Sequence, residues 1–142
     1  MSITFTSSAT IKTPPKVAIK KWLQKIAFSQ KRKINSLAYN FCSDEELWQM
    51  NKQFLNHDTY TDIITFDYSD EEALSGEIYI SADRVKENAE KHKVALREEL
   101  LRVMAHGLLH LCGYKDKSPL QQKQMRAAEE KALKMFKYSP KA

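Results

Sequence analysis

Glycine is scarce, at three residues in 142, and nowhere are glycines grouped into a phosphate-cradling loop, so a P-loop nucleotide-binding protein is not expected. Only two cysteines are present, Cys42 and Cys112, and they match no metal-knuckle or redox-pair spacing. That usage suits a reducing compartment better than a disulfide framework. No run of about 18 apolar residues occurs, and the opening MSITFTSSATIKTPP lacks the apolar stretch of a secretory signal. Membrane spanning and secretion are therefore not expected, and a cytoplasmic location is. Acidic residues are missing from positions 1 to 43, which together with the Ser and Thr content loosely imitates an organellar transit peptide. The ITFT segment and the helical pattern after it read instead as parts of a folded domain.

What is present suits one globular domain spanning residues 1–142, with 42% hydrophobic and 29% charged residues. A chain this long removes roughly 70% of its surface from water on folding, so it needs no disulfide to hold a core. The net charge of +5 conceals a strong segregation. Residues 1–43 carry eight Lys/Arg and no acid, residues 44–83 one base and eleven acids, and residues 84–142 fourteen bases and seven acids. Basic faces concentrate polyanions, so nucleic acid is a natural partner.

Four short β-rich runs stand at ITFT (3–6), SLAYNF (36–41), DIITFDY (62–68) and GEIYIS (76–81). Between them lie helical patterns. The first places Val17, Ile19, Trp22, Leu23 and Ile26 on an apolar face and Lys16, Lys20, Lys21 and Lys25 on a basic one. The second, DEELWQMNKQFL, opens with Asp44, Glu45 and Glu46 against the positive end of the helix dipole. A third runs from near Ser81 to about Val94, a fourth from Arg97 into His110, and a fifth from Ser118 to near Lys137. Pro119 at the first helical position and Gln121 in a capping-box pattern mark the last start. The expected fold is α+β, a small mixed four-stranded sheet covered by about five helices.

Two of the three glycines and two of the four histidines fall within HGLLHLCGYKD. At about 100° per residue, His106 and His110 lie one turn apart on one helical face and can converge on a single point. Cys112 projects from roughly the opposite face, toward the core. Gly113 is placed to end the helix in a left-handed conformation and return the chain, bringing Asp116 within reach. Two imidazoles and one carboxylate leave a coordination position open for water, the arrangement of a catalytic zinc site. A cation so held lowers the pKa of its water from 15.7 toward about 7.

The histidine spacing resembles that of metzincin peptidases, but those carry a glutamate base directly after the first histidine, where this chain has Gly107. Phosphodiester cleavage depends less on one carboxylate base, because polarisation of a phosphoryl oxygen and nearby cations stabilise the developing charge. The basic balance points the same way. A peptidase lacking its usual base and a non-catalytic ribosome-associated RNA-binding protein are the alternatives.

At these residues the chain resembles the YbeY family of rRNA maturation factors, metal-dependent endoribonucleases whose hallmark reads H-G-x-L-H-L-x-G-Y-x-H. The likeness extends to Asn51, TDIITF (61–66), GEIYIS (76–81) and EELLRVMAHG. The resemblance implies that His106, His110 and Asp116 form both the metal site and the catalytic centre. It also implies one Zn2+ per chain, another divalent ion being conceivable because Asp116 stands where most members have histidine. It further implies single-stranded RNA and the ribosome as partners, and a monomer. The family usually places an arginine shortly after the Asn, where this chain has Leu55, so either another cation such as Lys52, or His57, takes that duty or activity is weaker. Thr61, Asp62, Tyr114 and Lys115 complete the expected substrate contacts. His57 and Asp58 equally suit a turn, Thr61, Asp62 and Thr65 strand-edge hydrogen bonding, Tyr114 packing, and Trp22 and Trp48 the core.

Overall fold

The computed structural model describes residues 1–55 and 61–136. The order along the chain is β1 (Ser2–Ser7), α1 (Lys16–Ser29), β2 (Ile34–Cys42), α2 (Asp44–Leu55), β3 (Ile63–Asp67), β4 (Leu74–Ser81), α3 (Ala82–His92), α4 (Leu96–Leu111) and α5 (Pro119–Lys134). The architecture is α+β, with each expected strand and helix in place. The sheet runs β1-β2-β4-β3, with β1, β2 and β4 mutually parallel and β3 antiparallel to β4.

Period-two alternation decides which sheet face is dry. Leu37, Tyr39 and Phe41 of β2 and Ile78 and Ile80 of β4 are buried in the main core with residues of α1 and α4. A smaller cluster of Cys42, Leu47 and Ile64 packs under α2. Two buried hydrogen bonds tie the layers: the Tyr39 hydroxyl donates to the Met104 carbonyl at 2.8 Å, and the Trp22 indole N–H donates to the Ala132 carbonyl at 2.7 Å. Because a buried donor without a partner costs about 1–3 kcal/mol, these bonds orient α4 on the sheet and α1 on α5.

One assignment to the apolar face of α1 is corrected. Ile19, Trp22, Leu23 and Ile26 are each at most 2% exposed, but Val17 is 65% exposed. Nine residues separate Val17 from Ile26, about 180° around a helix, so Val17 faces solvent among the lysines. The third helix is also shorter than its pattern suggested. Ser81 caps it by accepting from the Arg84 N–H, and Lys93 ends it in a left-handed conformation with φ of 56°.

Helix α4 lies close against the sheet because Gly107 has no side chain. A Cβ there would stand 2.9 Å from Ile78 Cδ1 and 3.1 Å from Ile63 Cδ1. The position after the first histidine thus faces strands β3 and β4, and the opposite stripe of α4 is free to line a cleft.

Candidate metal centre and active-site cleft

His106 and His110 project from the last two turns of α4 with Nε2 atoms 3.0 Å apart. After Cys112 the chain reverses at Gly113, whose φ of 108° is unfavourable for any residue with a Cβ. The Gly113 N–H donates to the His110 carbonyl and the Tyr114 N–H to the Leu109 carbonyl, each at 3.0 Å, closing the helix end. This reversal carries Asp116 back so that its Oδ2 lies 3.2 Å from His106 Nε2 and 3.3 Å from His110 Nε2.

Each imidazole is oriented from behind. His110 Nδ1 lies 2.9 Å from the Tyr114 carbonyl, which only accepts, so Nδ1 carries the proton and Nε2 keeps its lone pair. His106 Nδ1 lies 2.5 Å from Glu129 Oε2 and donates to that carboxylate. With both imidazoles neutral, two nitrogen lone pairs and a carboxylate oxygen therefore face one another, a repulsion that a proton on His106 or a metal cation relieves. Zinc bonds of about 2.0–2.2 Å at tetrahedral angles set ligand atoms about 3.3–3.6 Å apart. The triangle of 3.0, 3.2 and 3.3 Å opens to that size by shifts of a few tenths of an ångström, roughly. Among the described residues, these three form the only group of His, Cys, Asp or Glu able to hold a metal ion.

Glu129 escaped the sequence reading. It is 6% exposed, on the inward stripe of α5 with Met125 and Ala132, and Arg102 pairs with it at 3.4 Å and with Glu130 at 2.6 Å. An acid at an apolar helical position is the signal that could have found it. Burial pushes the His106 pKa down, but the hydrogen bond and charge of Glu129, helped by Asp116 and Asp62, outweigh this and hold it above the ordinary value.

The triad opens onto a cleft of about 1030 Å³ between α4, α5, α2 and β3. Thr61, Asp62 and Thr65 line it, and Asp62 is held above the usual carboxylate range chiefly by burial, against the pull of His106. Arg102, Lys117 and Arg126 supply its cations, and Leu55 lines it at 42% exposure. Lys52 does not line the cleft; its ammonium lies 4.1 Å from the centroid of the Trp48 ring. Lys115 is exposed outside it, and Tyr114 is half-buried against the core, serving the site through its carbonyl. His57 lies outside the described residues. Cys112 is half-buried against the core, its thiol pushed up to about 11 by burial, and it stands outside the His106–His110–Asp116 group.

A family model described as "Endoribonuclease YbeY" matches residues 2–137. The chain belongs to the YbeY family. Relatives named endoribonuclease YbeY include that of Cytophaga hutchinsonii, 52% identical over 84% of this chain and 85% of its own length. Another is that of Bacteroides fragilis, 45% identical over 96% and 99%. A Thermotoga maritima protein solved in solution shares the fold, with a TM-score of 0.67 at 27% identity over 94% of this chain and 88% of that one. In this YbeY chain the His106–His110–Asp116 group closes on a carboxylate, and the two supporting acceptors, the Glu129 carboxylate and the Tyr114 carbonyl, come from different elements.

Proposed function

We propose that this YbeY chain is a metal-dependent endoribonuclease that cuts single-stranded RNA in rRNA maturation, acting on ribosomal particles in the cytoplasm as a single-domain monomer. One observation carries the reading: His106, His110 and Asp116 turn three electron pairs toward one point at the floor of an open cleft. The preferred ion is Zn2+, one per chain, because two imidazoles and a carboxylate suit its borderline softness. When bound, the ion supplies Lewis-acid polarisation of a phosphoryl oxygen and a water acidified toward neutral pH.

The chain's own groups do the rest. Lys117 and Arg126 take phosphate oxygens along one side of the cleft and fix the register of the strand. Thr61 and Asp62 border the substrate close to the triad. Glu129 and the Tyr114 carbonyl hold both imidazoles in the tautomer that keeps Nε2 free, so no reorganisation is needed as the substrate reacts. The peptidase alternative is not favoured, since position 107 faces Ile78 and Ile63 and no glutamate stands there. Nor is the non-catalytic alternative, since the relatives named above are endoribonucleases.

The test is elemental analysis of purified wild-type and His110→Ala protein, coupled to cleavage of a single-stranded RNA. The expected result is one equivalent of metal and cleavage in the wild type, with both lost in the variant. A wild type without stoichiometric metal, or a variant that cuts equally well, would overturn the reading. Product ends then assign the nucleophile: a 2′,3′-cyclic phosphate marks the ribose hydroxyl, and a linear phosphate marks water.

A further inference from the structure

One wall of the cleft holds a carboxylate that the reading above leaves unused. Glu99, in the first turn of α4, is 4% exposed and lines the cleft. Its Oε1 is buried and makes no hydrogen bond, and the His92 Nδ1 stands 3.8 Å off, beyond hydrogen-bond reach. Leaving a buried acceptor unmatched costs about 1–3 kcal/mol, more for a charged one, so its retention calls for a donor from outside the fold. Glu99, Val103, His106 and His110 follow one stripe of α4, which puts Glu99 about 10 Å along the helix axis from the first metal ligand.

The cleft is also two-sided. Lys117 and Arg126 lie on the turn before α5 and on α5, whereas Asn88, Asp62 and Glu99 lie on α3, just before β3 and at the start of α4, where the Arg102 cation is paired to Glu129 and Glu130. A single strand crossing it therefore sets phosphates against the cationic side, while the opposite wall repels phosphate and offers acceptors. In single-stranded RNA the groups that meet acceptors are the N–H edges of unstacked bases. A carboxylate there accepts from the exocyclic amine of cytosine, adenine or guanine, whereas uracil offers only a ring N3–H set between two carbonyl oxygens that repel the carboxylate.

Resting on the nuclease reading, we propose that Glu99 is the floor of a nucleobase subsite, which accepts a hydrogen bond from the amine of a base flanking the cleaved linkage. Because it sits about two helical turns from the triad, it selects where the strand lies and takes no part in bond cleavage.

Four oligoribonucleotides differing only in the base that flanks the cleavage site, cut under single-turnover conditions by wild-type and Glu99→Gln protein loaded with Zn2+, test this. The wild type should cut an amine-bearing base at least about tenfold faster than uracil. Glu99→Gln, whose amide both donates and accepts, should bring that ratio toward one while retaining one zinc per chain. Replacing guanine by hypoxanthine, which lacks the 2-amino group, should slow the wild type in the same sense if guanine is a preferred base, without altering the protein. A wild type indifferent to the base, or a ratio unchanged in Glu99→Gln, overturns the subsite and leaves the nuclease reading standing. Two metal equivalents in the wild type falling to one in Glu99→Gln would assign Glu99 to a second cation instead. If the loaded wild type cuts none of the four, the nuclease reading itself fails, and the subsite with it.

Discussion

At the scale of single residues, the site depends on what stands behind the ligands. Glu129 accepts the Nδ1–H of His106 at 2.5 Å, and the Arg102 guanidinium lies 3.4 Å from the other oxygen of that buried carboxylate. Glu129→Gln keeps the shape but weakens the acceptor, so metal affinity should fall about 10- to 100-fold, as measured by competition with a chelating dye. Asp116→Ala should lose the metal while the thermal transition of the metal-free protein hardly moves, because the side chain is 38% exposed on a turn. The pH dependence of the metal-free protein has a definite sign. His106 titrates above the ordinary histidine value of 6.5, since Glu129 and its neighbouring acids outweigh burial. The pairing therefore stabilises the metal-free fold fully below pH 6.5 and is lost as pH rises through the higher folded value. The metal-free melting temperature should show that loss, and Glu129→Gln should flatten it. Metal occupancy runs the other way, increasing with pH as the imidazole gives up its proton.

At the scale of elements, the turn from α4 to α5 is both a helix stop and a ligand carrier. Gly113→Ala places a Cβ at φ of 108°, which costs about 1–3 kcal/mol. Relief of that strain would shift Asp116, so calorimetry and metal titration should show lower stability and weaker metal binding together. The next helix starts on a capping box: the Ser118 hydroxyl accepts the Gln121 N–H at 3.1 Å, and the Gln121 side chain accepts the Ser118 N–H at 3.1 Å. Ser118→Ala should cost about 1 kcal/mol in chemical denaturation. These features were legible in the sequence because they are local. A serine three residues before a glutamine, a proline between them, and histidines one turn apart state their geometry without reference to the rest of the chain. The place of Val17 was less legible, because its apolar character says nothing about which side of α1 meets the sheet.

At the scale of the whole molecule, core and site are separate. Trp22, Leu37, Tyr39, Ile78 and Met104 pack together without help from the triad. Removing metal with a chelator should therefore leave the far-ultraviolet circular dichroism unchanged and lower the melting temperature only by the lost binding free energy, which depends on free metal concentration. Cleavage of RNA should stop. A structural metal would instead give a molten or unfolded chain, and the same spectrum would reveal it. The cleft itself was not legible from the chain. Its walls come from α2, β3, α3, α4 and α5, and among the described residues two of its cations, Arg102 and Arg126, sit on helices that carry several other charged residues, which no local pattern tells apart from them. Lys52, near the expected arginine position, packs over Trp48 instead.

The sequence by itself determined the elements, their order, the histidine pair on one face of α4, the glycine reversal and the return of Asp116 after it, since each depends on a short stretch of chain. Only the tertiary structure decided that Glu129, 23 positions after His106, supports it, that Glu99 beside the cleft keeps a buried oxygen without a hydrogen bond, and that Gly107 faces the sheet. Those facts follow from how helices pack across a sheet, where a rotation of a few tens of degrees exchanges a buried side chain for an exposed one. No local pattern encodes that rotation.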